Sequence, residues 1–310
     1  MDTLPASFFI QDEVKRALRL NQPVVALEST VITHGLPPPH NLALARDMEA
    51  AARDEGAIPA TVAVLDGVIR VGLTDAELVE VASTPSAIKI SRRDFAAAIV
   101  KKASGGTTVA GTMFAAHKAG IQVFATGGIG GVHKEARFDV SPDLQALAST
   151  QMIIVCAGAK SILDLPATLE YLETMGVPVI GYGTDEFPAF FSRQSGFKTS
   201  ARADSPQEVT DFARAHWDLG LPSAVLVCQP ILLENEIPRA EIDPIEEIAS
   251  REALEKKIIG QALTPFLLQR VNELTRGRSM GANLAFLLNN ARLAAQIAKK
   301  MVPPNKIRAI

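Results

Sequence analysis

The sequence predicts an α/β fold, arranged as a three-layer α/β/α sandwich with a largely parallel or mixed central sheet. Short apolar runs alternate with helical patterns between residues 23 and 228, which is typical of strand–helix units packed in layers. Beyond about residue 241 the pattern is helical only. We therefore expect a single α/β domain, residues 1–310, with a C-terminal helical extension of about 241–310 packed on the sheet.

Short apolar runs are the expected strands. Two of them are separated by Asp66-Gly67, which is the strongest hairpin signal in the chain. Most of the others are followed by a helical pattern, which favours parallel pairing. The predicted strands cover residues 23–27, 62–65, 68–71, 87–90, 123–125, 152–156, 177–181 and 224–228.

Cap residues mark where helices are expected to begin. Ser91 is followed by Asp94, Ser141 by Pro142, and Ser161 has Asp164 three residues on as a capping-box start. The predicted helices cover residues 5–20, 41–55, 91–104, 142–150, 162–175, 246–259, 265–275 and 280–301, besides one opened at Thr74 and one closed by Gly120.

Composition and charge exclude several classes of protein. With 47% hydrophobic and 21% charged residues among 310, wholesale disorder is excluded. A net charge of −3 argues against a protein that coats nucleic acid or a membrane surface. No apolar run approaches the length that spans a bilayer, and residues 1–10 do not resemble a signal peptide. Cys156 and Cys228 have no metal-site spacing and are expected to be core residues, so we expect a cytoplasmic protein.

Lys160 is the most informative residue, because it lies between the apolar run 152–155 and the cap signal at Ser161. The positive end of a helix dipole disfavours an ammonium ion there, and desolvation acts in the same direction. Both effects favour a neutral amine that can form a Schiff base with a carbonyl. The alternative is a loop lysine whose amine reaches solvent.

Polar groups follow several other predicted strands, at the sheet edge where α/β proteins bind ligands. Glu28 and Lys89 stand at two strand ends, and the glycine loop 126–133 follows a third. The loop would suit close approach of a phosphate or sugar, but it does not match the dinucleotide pattern. Lys89, Arg92 and Arg93 with Thr108 could hold a phosphate, or could form a solvated helix start.

Asp139 and Asp143 flank Ser141, and such paired carboxylates could take a divalent cation. Asp143 could equally complement the dipole of the helix it starts. His133 is either a ligand contact or a capped loop residue, and both interpretations stay open. The remaining histidines have no zinc spacing.

Several ordered blocks together resemble the pseudouridine-5′-phosphate glycosidase family, also called indigoidine synthase A-like. The likeness covers nearly the whole chain and is therefore far more specific than one motif. The blocks are ALESTVITHG (26–35), KISRRD (89–94), ATGGIGGVH (125–133), CAGAKSILD (156–164), PAFF (188–191) and TPFLL (264–268), with Asn283 and Asn290.

The resemblance implies reversible conversion of pseudouridine 5′-phosphate to uracil and ribose 5-phosphate, an activity classed by convention with the carbon–oxygen lyases. The bond broken is carbon–carbon, so protonation of a leaving oxygen cannot drive it. An amine instead opens the sugar, and the C1′–C5 bond breaks as a C1′ iminium forms. The family pattern implies Lys160 as this nucleophile and Glu28 as the acid/base.

The resemblance also implies the other site residues. Asp139 matches a manganese position that is largely water-coordinated, and the family expectation is a homotrimer acting on a small molecule, with no nucleic acid or membrane partner. His133 and Asn283 are weaker candidates for contact with uracil. The remaining implied substrate contacts are Lys89, Thr108, Val109, Ser141, Pro142 and Asp143.

One departure and two alternatives accompany the resemblance. Gln229 stands where relatives usually carry asparagine, which puts the contacts of the base or the metal surroundings in doubt. An aldolase-like Schiff-base enzyme acting on sugar phosphates would share Lys160 but need no uracil pocket. A non-catalytic nucleotide sensor would keep the glycine loop but have no use for an activated lysine.

Overall fold

The computed structural model describes residues 4–134, 139–258 and 260–302, and a mixed sheet with helices on both faces forms its centre. The predicted α/β class is confirmed. The strands are β1 (Phe8–Ile10), β2 (Val24–Leu27), β3 (Ile58–Leu65), β4 (Val68–Val71), β5 (Ile88–Ile90), β6 (Gly105–Thr107), β7 (Val123–Ala125), β8 (Val132–His133), β9 (Ile153–Cys156), β10 (Leu163–Asp164), β11 (Val179–Tyr182), β12 (Ala201–Ala203) and β13 (Val225–Cys228).

The main sheet runs in the order β1-β4-β3-β2-β7-β9-β13-β11-β12, while β6 pairs with both β3 and β5. All pairs from β3 through β2 to β12 are parallel. The β3–β4 hairpin predicted around Asp66-Gly67 is antiparallel, as expected. Strands β8 and β10 form a separate antiparallel pair beside the main sheet.

Helices cover the sheet from two sides. Helix α11 packs on β2, β7 and β9 together with α2 and α8, and α5 packs on β2, β3 and β4 together with α6. The helices are α1 (Asp12–Arg19), α2 (His40–Asp54), α3 (Asp75–Ser83), α4 (Phe95–Val100), α5 (Val109–Ala119), α6 (Pro142–Ala148), α7 (Leu165–Thr174), α8 (Pro206–Asp218), α9 (Arg239–Glu255), α10 (Leu263–Leu274) and α11 (Arg278–Met301).

The C-terminal region is helical, as expected, and α11 carries much of one core layer. Its buried residues include Phe286 and Ile297, which pack with sheet residues such as Phe124 in the main hydrophobic core. Nothing in the structure tests whether residues 1–310 should be counted as one domain, so that stays a prediction. In the described part of the chain, no helix is both long and apolar enough to cross a bilayer.

The start of the chain differs from the expectation of one helix over residues 5–20. Residues Phe8–Ile10 instead form an edge strand parallel to β4, and α1 begins only at Asp12. The side chain of Gln11 caps α1 by accepting hydrogen bonds from Glu13 and Val14 N–H. Phe8 and Ile10 are buried whereas Phe9 is exposed, so this segment has a strand's alternation rather than a helical stripe.

The expected helix start at Ser161 is also wrong. Helix α7 begins at Leu165, and Asp164 caps it by accepting a hydrogen bond of 3.0 Å from Ala167 N–H. Residues 160–163 instead make a turn that closes with a 3.0 Å hydrogen bond from Leu163 N–H to Lys160 O. The argument that a helix dipole acts directly on Lys160 therefore loses its premise, because the helix starts five residues later.

Some elements were missed because their sequences are polar or short. Strand β12 (ARA), helix α8 and strand β6 (GGT) were not predicted. A side chain at Gly105 would meet the Ile88 backbone, so glycine is what lets β6 lie against β5. The expected helix 246–259 is longer at its start, since α9 begins at Arg239.

Candidate active site

A cavity of about 360 Å³ opens at the edge of the sheet where its parallel strands end. This volume lies within the range of small-molecule sites. All site residues that the family resemblance implied line this cavity: Glu28, Lys89, Thr108, Val109, His133, Asp139, Ser141, Pro142, Asp143, Lys160 and Asn283. Of the two arginines considered for a phosphate, Arg93 lines the cavity, whereas Arg92 does not and contacts Ser149 instead.

Glu28 stands directly after β2 and is only 8% exposed. Burial raises the pKa of its carboxyl group above the ordinary 4.5, while the Lys160 ammonium and a hydrogen bond from the Thr126 hydroxyl act in the opposite direction. The result is a carboxyl group whose protonated form persists to higher pH than in water. Such a group suits proton transfer near neutral pH.

Thr126, whose hydroxyl binds Glu28, is fixed by hydrogen bonds at both its backbone N–H and its carbonyl. Its N–H donates a 3.0 Å hydrogen bond to Val155 O, and its carbonyl accepts one of 2.8 Å from the Asn290 amide on α11. Asn290 is 1% exposed. The hydroxyl that orients Glu28 is therefore fixed by both the neighbouring strand and the C-terminal helix.

Lys160 projects from the turn that follows β9. Its N–H donates a 3.1 Å hydrogen bond to Ile129 O of the glycine loop, so two backbone contacts hold the residue while its amine lines the cavity. Gly158, two residues before it, has φ of +90°, and a side chain there would collide with Pro188 O. The CAGAK segment thus needs its glycine for the path of the chain.

Lys89 and His34 bring further nitrogen groups to the same cavity. Burial lowers the pKa of Lys89, and the charge of Lys160 lowers it further, whereas Asp143 and Glu28 raise it. Burial also lowers the pKa of His34, with Lys89 acting in the same direction. His34 was not expected at the site, because nothing in the proline-rich sequence around it indicated a function.

The carboxylate of Asp143 links helix α5 to the glycine loop. Its two carboxylate oxygens accept hydrogen bonds of 2.9 Å each, one from Ala110 N–H in α5 and one from Gly130 N–H in the glycine loop. Ser141 caps α6 by accepting from Asp143 N–H, as expected. These two backbone donors fix the orientation of the Asp143 carboxylate at the cavity wall.

The start of α5 presents backbone donors to the cavity. Thr108 caps this helix by accepting a hydrogen bond of 3.2 Å from Gly111 N–H. Ala110 N–H is taken by Asp143, and within the described residues no group accepts from Val109 N–H. An anionic or carbonyl oxygen of a ligand can therefore bind at Val109 N–H.

The backbone N–H of His133 donates a 3.1 Å hydrogen bond to Asp139 O, and residues 135–138 lie outside the described range. Burial lowers the pKa of His133, while the charge of Asp139 raises it. No group of three or more His, Cys, Asp or Glu within residues 4–134, 139–258 and 260–302 is placed to hold a metal ion. Asp139 alone offers one hard oxygen ligand, which fits a cation that keeps most of its water.

The glycines of the loop after β7 are explained by crowding. A side chain at Gly128 would meet the Phe190 ring, one at Gly130 would meet Ser141, and one at Gly131 would meet Thr168. Gly130 also donates its N–H to Asp143. The loop is therefore a packed wall of the cavity, and it leads directly into strand β8.

Apolar residues complete the cavity on the side of α10 and α11. Leu268 and Leu287 line it together with Phe190, whose ring lies 4.5 Å from that of Phe286. Phe190 and Leu268 fall within the PAFF and TPFLL blocks, so only the family resemblance could have indicated them. Such a wall suits the flat face of a base or other planar group.

Gln229 does not line the cavity. Its N–H continues the sheet by donating a 2.8 Å hydrogen bond to Cys156 O, and its side-chain oxygen is buried without a partner among the described residues. The unusual glutamine therefore lies behind the site, next to the buried pair Cys156 and Cys228. Both cysteines are core residues, as predicted.

Comparison with known proteins matches the chain to the family model described as indigoidine synthase A like protein, over residues 13–300. A pseudouridine-5′-phosphate glycosidase from Solibacter usitatus (strain Ellin6076) is 55% identical over 93% of this chain and 97% of its own length. One from Paracoccus denitrificans (strain Pd 1222) is 55% identical over 96% of this chain and 99% of its own.

Solved structures agree with these matches. The prealnumycin C-glycosynthase AlnA, solved in complex with ribulose 5-phosphate, has a TM-score of 0.89 and 39% identity over 96% of this chain and 98% of its own. An indigoidine synthase A-like protein from Thermotoga maritima has a TM-score of 0.89 and 35% identity over 98% of this chain and all of its own. The sequence, the fold and the residues of the cavity thus lead to one conclusion: the chain belongs to the indigoidine synthase A-like family, in which its curated relatives are named pseudouridine-5′-phosphate glycosidases.

Proposed function

We propose that this protein is a pseudouridine-5′-phosphate glycosidase that reversibly cleaves the C1′–C5 bond to give uracil and ribose 5-phosphate through a Schiff base on Lys160. The observation that carries the proposal is the meeting of Glu28 and Lys160 in one cavity, at the ends of strands two places apart in the sheet. The names of the relatives supply the substrate.

Lys160 supplies the covalent chemistry. Its amine bonds to C1′ as the bond from C1′ to the ring oxygen breaks, and the nitrogen, once it has given up a proton, can donate its lone pair to C1′. The C1′–C5 bond then breaks with its electron pair going to the uracil carbon, which takes up a proton, and an iminium links Lys160 to C1′. Water hydrolyses the iminium, which releases ribose 5-phosphate and returns the free amine.

Glu28 supplies the proton transfers. Its buried carboxyl group can protonate the departing ring oxygen, since burial keeps its pKa above the ordinary value. The hydrogen bond from Thr126 occupies one oxygen and leaves the other for the substrate. General acid–base groups of this kind accelerate reactions by roughly 10²–10⁴-fold.

The rest of the cavity is divided between a polar and an apolar side. Lys89, Thr108 and the N–H of Val109 provide charge and donors for the phosphate and sugar oxygens. The apolar wall of Phe190, Leu268 and Leu287 suits the uracil ring, with Asn283 and His133 beside it as donors or acceptors. A pentose phosphate is also the ligand in the structure of the related C-glycosynthase.

A manganese ion is part of the proposal and would be held by Asp139 with water completing its coordination. When bound, such an ion supplies positive charge near the phosphate or the sugar oxygens. The homotrimer and the cytoplasmic location expected from the sequence also belong to the proposal.

The alternatives differ in what they require of the cavity. An aldolase-like enzyme would use Lys160 without uracil, and a sensor would bind nucleotide without turnover. The names of the relatives favour chemistry at a C-glycosidic bond, and the buried acid beside the lysine has no role in a sensor.

The activity itself is tested by mixing uracil, ribose 5-phosphate and manganese with the protein. We expect pseudouridine 5′-phosphate to form, because the cleavage is reversible, and mass spectrometry detects the new nucleotide. Ribose 5-phosphate consumed only with other carbonyl compounds would favour the aldolase-like reading. Tight nucleotide binding with no turnover in either direction would favour the sensor.

Borohydride reduction with ribose 5-phosphate should trap the sugar on Lys160. Peptide mass spectrometry should find the reduced pentose phosphate on the peptide with residue 160. Lys160→Ala should lose both the adduct and turnover and keep the unfolding midpoint of the wild type, whereas Lys198→Ala at an exposed position should change neither. An adduct on Lys89 would transfer the nucleophile's role to that residue.

Glu28→Gln should lower kcat by at least ~10²-fold while substrate still binds. The amide keeps the shape and can still accept from Thr126, but it cannot exchange a proton. Steady-state kinetics and a direct binding measurement separate the two effects, with exposed Glu80→Gln as the matched control. Near wild-type turnover of Glu28→Gln would reduce Glu28 to a strand-end residue and direct the search for the acid to Asp143 and His133.

Chelation should lower activity, and manganese or another hard divalent ion should restore it. Asp139→Asn should weaken manganese binding, which electron paramagnetic resonance of the free ion measures without any turnover. Asp218→Asn on the exposed end of α8 serves as the control. Full activity of the chelated protein, together with unchanged manganese binding by Asp139→Asn, would remove the metal from the proposal.

A further inference from the structure

The sheet divides beside the cavity, halfway along β3. On the edge of β3 away from β4, residues up to Thr61 pair with β2, whereas Ala63 and Val64 pair with β6. From there the sheet continues from β2 to β7 and from β6 to β5. Val62 therefore lies at the fork between β2 and β6.

Three buried hydroxyl groups close this fork. Ser29 Oγ donates a hydrogen bond to Val62 O, and the same carbonyl accepts one of 2.8 Å from Thr107 Oγ1. Ser29 Oγ also accepts a 2.9 Å hydrogen bond from Thr107 N–H, and Thr107 Oγ1 lies 2.8 Å from Thr112 Oγ1 on α5. Ser29, Thr107 and Thr112 are fully buried. One side chain, that of Ser29, thus joins the chain after β2 to both β3 and β6.

The backbone fits closely around Ser29. A side chain at Gly106 would collide with the Ser29 carbonyl group and with Thr33 Oγ1, so glycine at 106 lets the two segments touch. Thr30 Oγ1 adds a hydrogen bond of 3.3 Å to Gly106 O. The segment after β2 is therefore packed directly on the backbone of β6.

Each side of the fork leads to a group that the proposed reaction uses. Glu28, the proposed acid, directly precedes Ser29. Thr108, which caps α5, directly follows Thr107, and Val109 N–H is the donor that we assign to a phosphate or sugar oxygen. The hydrogen bond from Thr107 N–H to Ser29 Oγ is therefore a direct link between the two functional segments.

We propose that Ser29 is a positioning residue: its hydroxyl holds the segment of Glu28 against the start of α5, so that the Glu28 carboxyl group and Val109 N–H reach the same substrate molecule. This inference rests on the proposed function, which gives Glu28 the proton transfers. Without the hydroxyl, Thr107 N–H would be buried without its acceptor and Val62 O would lose a donor. Unsatisfied buried groups are costly, so the two segments should separate and admit water.

The first test is steady-state kinetics with pseudouridine 5′-phosphate. Ser29→Ala should lower kcat about 10-fold, since a small displacement of a reacting group is enough for such a loss, and it should raise KM. In the Glu28→Gln background, Ser29→Ala should lower kcat less than about 2-fold, because its effect on kcat passes through Glu28. A purely structural serine would cause the same loss in both backgrounds.

Ser223→Ala is the matched control. Ser223 is also a buried serine and donates a 2.6 Å hydrogen bond to a backbone carbonyl, that of Gly176. It precedes β13, and so lies at the end of the strand away from the cavity. Ser223→Ala should lower the unfolding midpoint but leave kcat and KM unchanged.

The second test needs no turnover. Calorimetric titration with ribose 5-phosphate should show about 5-fold weaker binding to Ser29→Ala, because the contact at Val109 N–H is displaced. This loss should be the same in the Glu28→Gln background, since it does not pass through Glu28. Hydrogen exchange of a peptide covering residues 105–112 should be faster in Ser29→Ala and unchanged in Ser223→Ala.

Thr107 supplies a second pair of variants. Thr107→Val keeps the shape but loses the hydrogen bond to Val62 O, so it should lower kcat as Ser29→Ala does. Thr107→Ser keeps the hydroxyl and should keep a kcat close to that of the wild type. If Ser29→Ala does not fold, this pair decides the matter, and equal kcat values for the two variants would contradict the proposal.

The outcomes separate this inference from the proposed function. A wild type without adduct or turnover overturns the proposed function, while titration and hydrogen exchange still report on the link between the two segments. An active wild type in which Ser29→Ala changes kcat no more than Ser223→Ala does overturns the role of Ser29 alone. The same conclusion follows if Ser29→Ala lowers kcat equally with and without Glu28.

Discussion

The parallel register of β2, β7 and β9 is the constraint on which the site depends. Leu27 pairs with Ala125 and Ala125 with Val155, so the next residue of each strand falls in one row at the edge of the sheet. Glu28 and Thr126 occupy two places of that row, close enough for the threonine hydroxyl to bind the carboxyl group. A slip of one residue in either pairing would turn one of these side chains to the other face of the sheet. The acid and the hydroxyl that orients it are therefore placed by backbone hydrogen bonds.

Burial has the largest effect on the protonation of Glu28 and Lys89 at this edge of the sheet. Desolvation raises the pKa of Glu28 and lowers that of Lys89, and in both cases it favours the neutral form. The opposite charges nearby act against these shifts, and among the residues that the structure describes neither Glu28 nor Lys89 forms an ion pair. Both side chains thus remain available to a ligand, which a closed salt bridge would prevent. Asp143, by contrast, accepts one backbone hydrogen bond at each oxygen and thereby links α5 to the glycine loop.

Local sequence was sufficient to locate most strand ends and the residues standing on them. The apolar runs before Glu28 and Lys160 are short, buried and bounded by polar residues, so their ends were predicted within a residue or two. The helix start at Ser161 was misplaced because Ser161 and Asp164 both have the chemistry of a cap, and only tertiary contacts decide which one acts. Local sequence does not predict which residues reach the cavity from far along the chain, such as Leu287 on α11. Their place depends on how α11 crosses β2, β7 and β9.

The crowded glycine loop has a consequence for how this enzyme family can change. Gly128 and Gly130 each touch a side chain from a different segment, so a substitution in the loop would require a compensating change elsewhere in the same step. Leu268 on α10 is less restricted, because it lines the cavity with a half-buried side chain, whereas Leu287 is buried in the core and close to Gly127. A change of ligand preference can therefore arise by a single substitution at Leu268 while the residues at the ends of β2, β7 and β9 stay the same.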